Sequence, residues 1–216
     1  MQRLVLFDLD DTLIDRRRAL EASVARLASR HGLAPDGRAD VLERLEKRAT
    51  IADFSVIRRL HGLTAPAREL WRDYLSDMAA LASCPEGVLE GLDELKGRGW
   101  RVGIATNGCA DIQRAKLSAT GIALHVHSVC VSAEVGVRKP DPRLFVAAAE
   151  LCGAVPGNGG WMVGNDPAKD ISGGRAAGLA TLWIGDPLRW PAGLPAPDRT
   201  APTALRAIRL LLDLTA

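Results

Sequence analysis

Apolar positions along the 216-residue chain fall into two patterns. Five segments, 4–7, 101–105, 128–131, 161–163 and 181–184, are short, nearly continuous and rich in Val, Ile and Leu, which predicts buried strands. Between them lie stretches of helical character. Those near 86–98, 111–120 and 170–177 run into Gly99, Gly121 and Gly178, residues suited to stopping a helix. The stretch 141–151 opens with Asp141 as an N-cap and Pro142 in the first turn, where a missing N–H costs little. Strand alternating with helix predicts an α/β fold, a parallel sheet covered on both faces, with its ligand site at the carboxyl ends of the strands.

Residues 16–84 break this rhythm. They hold no convincing strand, and Leu20, Val24 and Leu27, then Val41, Leu42 and Leu45, follow amphipathic helical spacing, with Gly32, Pro35 and Gly37 marking a turn. The segment reads as an all-helical cap of four-helix-like arrangement, inserted into a core made of 1–15 and 85–216. Residues 185–200, rich in Pro and Gly, read as a surface loop before a terminal helix over 201–214. No repeat or low-complexity segment is evident.

Composition narrows the classes of function. Hydrophobic residues make up 47% of the chain, ample for a buried core. With 28 basic against 26 acidic residues the formal net charge is +2, too weak a field to argue for nucleic acid or an anionic membrane as partner. The triplet Arg16-Arg17-Arg18 reads as a solvated helix end. No apolar run approaches membrane-spanning length, and Met1-Gln2-Arg3 enters a strand at once without a signal-like segment, so a cytoplasmic protein is expected. Cys84, Cys109, Cys130 and Cys152 lie far apart with no C-x-x-C pair, which predicts small buried thiols and neither a zinc site nor a disulfide framework.

The chemistry gathers at strand ends. The first strand stops on Asp8-Leu9-Asp10-Asp11-Thr12. If the extended geometry persists, Asp8 and Asp10 project the same way, and two such carboxylates repel unless a cation or proton lies between them. Oxygen ligands of this kind suit Mg²⁺. The second strand ends on Thr106-Asn107-Gly108, where a hydroxyl and the backbone of a helix start can hold phosphate oxygens; a helix cap explains the same residues. In Arg138-Lys139-Pro140-Asp141-Pro142 the two prolines hold Lys139 in place, so its ammonium can neutralise Asp8 and a neighbouring phosphoryl group; a solvated lysine is the alternative. The fourth strand ends on Gly164-Asn165-Asp166-Pro167-Ala168-Lys169-Asp170, in which Asp166 would complete a cation site with Asp8 and Asp170 would fix Lys139 or a metal-bound water. An Asp N-cap for the next helix accounts for one of these carboxylates, not both.

In this order, the four constellations resemble the haloacid dehalogenase-like hydrolase superfamily, and the helical insert resembles the cap of its first subclass. The resemblance implies a flavodoxin-like or Rossmann-like core, a movable cap, dependence on Mg²⁺ and hydrolysis of phosphate esters. Asn165 stands where many relatives carry a metal-binding Asp. Counted back from Asp170, Asp166 fits one family spacing and Asn165 the other, so both remain candidates; the charge of Asp166 favours it.

Together, resemblance and residue chemistry imply that Asp8 attacks phosphorus as the nucleophile and Asp10 carries the proton. Lys139, Thr106 and Mg²⁺ would then hold the phosphoryl oxygens, Asn107 and Gly108 would present backbone donors, and Thr12 would support the turn. The expected substrate is a small phosphorylated metabolite. Three other readings stay open. A dehalogenase has no need of the acid at Asp10; a phosphosugar mutase would need a second phosphate site, for which Arg58, Arg59 and His61 are candidates; a noncatalytic module would have no use for the full set.

Overall fold

The computed structural model describes residues 2–47 and 49–214, so Met1, Arg48 and the last two residues of the expected core segment lie outside the described residues. Its elements run in order from β1 (Leu4–Phe7) through four helices, α1 (Arg16–His31), α2 (Pro35–Lys47), α3 (Ile51–Leu60) and α4 (Ala67–Ala80). There follow α5 (Val88–Gly97), β2 (Arg101–Thr106), α6 (Ala110–Thr120), β3 (Ser128–Val131), α7 (Ser132–Val135) and α8 (Pro142–Leu151). The chain ends with β4 (Trp161–Gly164), α9 (Gly173–Ala176), β5 (Ala180–Ile184), β6 (Arg199–Ala201) and α10 (Ala204–Asp213).

All six strands are parallel, in the order β3-β2-β1-β4-β5-β6. This is the α/β parallel sheet expected from the strand–helix alternation, in Rossmann-like order. β1 and β4 are buried at every position, as a sheet covered on both faces requires. Leu4 and Leu6 join Leu144, Phe145 and Ala148 of α8 in one core layer. α5 and α10 pack against each other and against β2 and β5. The order reverses at β1, whose neighbours are β2 and β4, and such a switch point opens a crevice beyond the strand ends.

Two compact units divide the chain. One holds Met1–Ile14, Cys84–Ala110 and Gly121–Ala216, and the other Asp15–Ser83 with Asp111–Thr120. In the second unit α1 packs on α2 and α4, and α3 on α4. Asp15 caps α1 by accepting from the Arg18 N–H at 3.0 Å, and Thr50 with Asp53 forms a capping box on α3. Phe54, Trp71 and Tyr74 form an aromatic cluster with ring centroids 5.2–5.8 Å apart. The buried Asp77 carboxylate of α4 is held by Arg26 and Arg30 of α1 at 3.2 Å each.

Several local expectations differ from the structure. Gly37 lies inside α2, not in a turn, because Pro35 already opens that helix. The segment 185–200 contains the start of β6, since Trp183, Thr200 and their neighbours complete one more parallel ladder, and the last helix begins at Ala204 with Thr203 as its cap. The helix expected over 170–177 divides into a wide π-helical turn, Pro167–Ser172, and the short α9. Cys130 and Cys152 are buried thiols; Cys84 and Cys109 are free but only half-buried.

Candidate active site

β1 delivers Asp8 to the carboxyl edge of the sheet, and the ladder continues one residue beyond the strand, the Asp8 N–H donating to Val163 O at 2.8 Å. The chain then turns. Leu13 and Ile14 both donate to Leu9 O, and Asp11 takes a left-handed φ of 57°, a conformation aspartate tolerates. Asp10 therefore belongs to this turn, and strand alternation alone does not set its direction.

Lys139 is the centre of the charged cluster. Its Nζ lies 2.5 Å from Asp8 Oδ1 and 2.7 Å from Asp170 Oδ1, and the side chains of Lys139 and Asp170 are 2% and 1% exposed. Burial raises the Asp8 carboxyl to about 7; Lys139 opposes the rise, while Asp170 and Asp10 add to it. Burial disfavours the Lys139 ammonium, but Asp170 and Asp8 outweigh it and hold the group above its ordinary value. One cation thus faces two buried carboxylates, with Asp10 adding further negative potential. A further cation beside Asp8 would favour its ionised form.

The loop carrying Lys139 is held by Asn107. Asn107 Oδ1 accepts the Lys139 N–H at 2.9 Å, and Nδ2 donates to Lys139 O at 3.0 Å. Thr106, the last residue of β2, is buried at the edge of the strand beside β1. The Gly108 N–H donates to Ser132 Oγ at 3.1 Å, so in this arrangement it is engaged within the protein. Ser132 was not singled out by sequence; a serine opening a four-residue helix after β3 has no distinguishing signal.

After β4, Asn165 and Asp166 part ways. Thr12 Oγ1 lies 3.3 Å from Asp8 Oδ2 and 3.4 Å from Asn165 Oδ1, so the Asn165 side chain stands on the Asp8 side of the loop. Asp166 turns into its own helix. Its Oδ1 accepts from the Ala168 and Lys169 N–H groups at 3.0 and 2.8 Å, and its Oδ2 pairs with Lys169 Nζ. Burial raises the Asp166 carboxyl, but the Lys169 side chain and these backbone donors outweigh it and hold the group below the ordinary value. The arrangement is that of an N-cap. Asp170 reaches the cluster because Gly164 has no side chain: a Cβ there would lie 2.3 Å from Asp170 Oδ2.

Lys139 covers one oxygen of Asp8, and the group beside the other is a hard oxygen, the Thr12 hydroxyl. Among the described residues no group of three or more His, Cys, Asp or Glu side chains is placed to hold a metal ion; the oxygens gathered beside Asp8 are the Thr12 hydroxyl and, next to it, the Asn165 side-chain carbonyl. These oxygen donors, with an Asp8 carboxyl that a neighbouring cation would bring back toward its ionised form, fit Mg²⁺. Within the second unit, His61 pairs with Asp40 at 2.8 Å, and Arg58 and Arg59 are exposed in the last turn of α3. No helix among the described residues is long and apolar enough to cross a membrane.

Comparison with known proteins gives a consistent result. The model of the haloacid dehalogenase-like hydrolases matches residues 2–178. The chain is 39% identical over 128 residues to a phosphoserine phosphatase of Thermus thermophilus, an alignment spanning 59% of this chain but only about half, 51%, of that enzyme. It is 31% identical over 201 residues to a glyceraldehyde 3-phosphate phosphatase of Methanopyrus kandleri, covering 85% and 84% of the two chains. In fold it resembles the magnesium-bound HAD-hydrolase YfnB of Bacillus subtilis, with a TM-score of 0.75, 22% identity and coverage of 98% and 99%. Strand order, the ordered motifs and the match over most of the chain lead to one assignment: this protein belongs to the haloacid dehalogenase-like hydrolases.

Proposed function

We propose that the protein is a Mg²⁺-dependent phosphatase that hydrolyses a small phosphate monoester through an aspartyl-phosphate intermediate. The observation that carries this reading is the buried Asp8 carboxylate held 2.5 Å from Lys139, which is itself held by Asp170. A carboxylate fixed at a strand end beside a buried ammonium is positioned for in-line attack on an anionic phosphoryl group, whose charge the ammonium offsets. One Asp8 oxygen bonds to phosphorus as the ester P–O bond breaks, and Asp10 gives its proton to the departing alkoxide. Water then attacks phosphorus, the bond to Asp8 breaks, inorganic phosphate leaves, and Asp10 takes the water's proton.

Bound Mg²⁺ would supply electrostatic stabilisation of phosphoryl charge. Asp8, the Asp10 backbone carbonyl and Asn165 Oδ1 would hold it. Asn165 is preferred to Asp166 because the Asp166 carboxylate is occupied as a helix cap. Thr106 and Lys139 would bind phosphoryl oxygens, and Asn107 would serve by holding Lys139. In this reading residues 16–84 act as the cap that reads the leaving group. Names of relatives, which include phosphoserine, glyceraldehyde 3-phosphate and pyrimidine-nucleotide phosphatases, support a small phosphorylated metabolite as the substrate class.

Release of inorganic phosphate from p-nitrophenyl phosphate, with Mg²⁺ and with a chelator, tests the reading. Turnover should require Mg²⁺ and disappear in Asp8→Asn, and acid quenching of the wild type with ³²P-labelled substrate should trap label on the protein. Undiminished turnover in Asp8→Asn would remove the nucleophile from the mechanism.

A further inference from the structure

The peptide unit joining Asn165 to Asp166 is gripped at both ends. Its carbonyl, Asn165 O, accepts a hydrogen bond from the indole Nε1–H of Trp183 at 2.8 Å. Its N–H, that of Asp166, donates to Asp170 Oδ2 at 2.9 Å. With this peptide plane held on both sides, and Gly164 before it paired with Trp183 in the sheet, the backbone of Asn165 is anchored at both ends, and so is the base from which its side chain projects. Asp170 continues the chain of contacts to Lys139, and Lys139 to Asp8. Trp183 thus stands at the far end of a line of polar contacts that leads to the proposed nucleophile.

The indole is itself held in one pose. Trp183 lies on β5 opposite Gly164 of β4, one residue before the loop its N–H must reach. Its ring covers Gly185, where a Cβ would fall 2.3 Å from Cζ2 and 2.6 Å from Cε2. Trp190 packs against it edge-on, with centroids 5.0 Å apart and planes at 75°, and the Trp190 Nε1–H is anchored on Leu194 O at 3.2 Å. A buried Trp ordinarily finds a partner for its N–H; here Gly185 beneath the ring and Trp190 against it fix which partner that is, the Asn165 carbonyl.

We propose that Trp183 is a positioning residue for the metal site: its indole N–H, seated over Gly185, orients Asn165 toward the cation held with Asp8. The inference rests on the reading of Asn165 as a Mg²⁺ ligand, and it adds that a strand residue with no direct contact to the ion sets the affinity for it. Groups that orient ligands in this way are typically worth about 10- to 100-fold in metal affinity.

Two substitutions reach the same hydrogen bond by different routes. Trp183→Phe keeps an aromatic ring and removes the N–H. Gly185→Ala keeps every hydrogen-bonding group but displaces the ring. Calorimetric titration of the metal-free full chain with Mg²⁺, alongside circular dichroism as a check of folding, should show binding weakened about 10-fold in each folded variant. Phosphatase kcat at saturating Mg²⁺ should return to within about 3-fold of wild type, with substrate KM unchanged, because the ligand is misplaced but not removed. Asn165→Ala is the reference. If it loses Mg²⁺ affinity while both other variants bind as the wild type does, the role of Trp183 is overturned and that of Asn165 stands. If Asn165→Ala also binds Mg²⁺ normally, the ligand reading fails and the inference with it. Should Trp183→Phe not fold, Gly185→Ala decides: wild-type Mg²⁺ affinity there, or failure to fold, overturns the inference.

Discussion

The side-chain amide of Asn107 closes on the backbone of Lys139 from both sides, accepting its N–H at 2.9 Å and donating to its carbonyl at 3.0 Å. Asn107 therefore sets where the Lys139 ammonium can lie. Asn107→Asp can still accept from the N–H but loses its donor and brings the carbonyl and a carboxylate oxygen face to face. This variant should lose both activity and stability: kcat should fall about 10-fold or more, and the unfolding free energy should drop by roughly 1–3 kcal/mol. Steady-state kinetics with urea unfolding of the same preparation measures both, and an unchanged kcat would show that the clamp does not position Lys139.

Lys139 neutralises two buried carboxylates. Replacing it by Met conserves volume but leaves two buried carboxyl groups without their cation, and should lower stability by about 3–5 kcal/mol at neutral pH. Adding Asp170→Asn removes one of these carboxyl groups and should recover part of that loss. Denaturant unfolding of the four proteins of the double-mutant cycle reports the coupling, and strict additivity would contradict it.

The two residues after Gly164 should separate cleanly. Asp166→Ala removes a helix cap and should cost about 1 kcal/mol of stability. Asn165→Ala should leave stability nearly unchanged but raise the Mg²⁺ concentration needed for half-maximal activity about 10-fold or more. The reverse pattern would return the ligand role to Asp166, the carboxylate that its charge alone favours.

Asp8 makes the metal-free protein sensitive to pH. Its carboxyl rises from an ordinary 3.8 to about 7 in the fold, so between those values the folded chain binds more protons than the unfolded one. Its contribution is complete below the lower value and is lost as pH rises through the upper one. In the presence of a chelator, the melting temperature of the wild type should therefore decline relative to that of Asp8→Asn as pH rises from about 4 to about 8. Millimolar Mg²⁺ should flatten the difference, since a bound cation stabilises the ionised carboxylate. Parallel melting curves across that range would argue against the strain at Asp8.

Much of this architecture was legible in local pattern. Continuous apolar runs marked β1 to β5, because a strand covered on both faces needs no polar alternation, and Asp141 with Pro142 marked the start of α8. β6 escaped notice because Arg199-Thr200-Ala201 carries no apolar run; its place comes from pairing with β5 at the sheet edge. Gly37 sits inside α2 although glycine by itself disfavours a helix, because the residues around it carry the helix through.

The order of residues sets which chemistry stands at each strand end: two aspartates after β1, Thr106 and Asn107 after β2, a restrained Lys139, and an Asn-Asp pair after β4. Those choices are local, and they hold wherever the strands end. Which of these groups meet follows from the folding of the sheet. Lys139 is 131 residues from Asp8 and 32 from Asn107, and they come together because β1 lies between β2 and β4. The tertiary structure also decided that Asp166 caps a helix while Asn165 faces Asp8, and that Trp183 holds the peptide between them. Side-chain direction beyond a strand end depends on hydrogen-bond partners supplied by other strands, and spacing along one chain does not specify those partners.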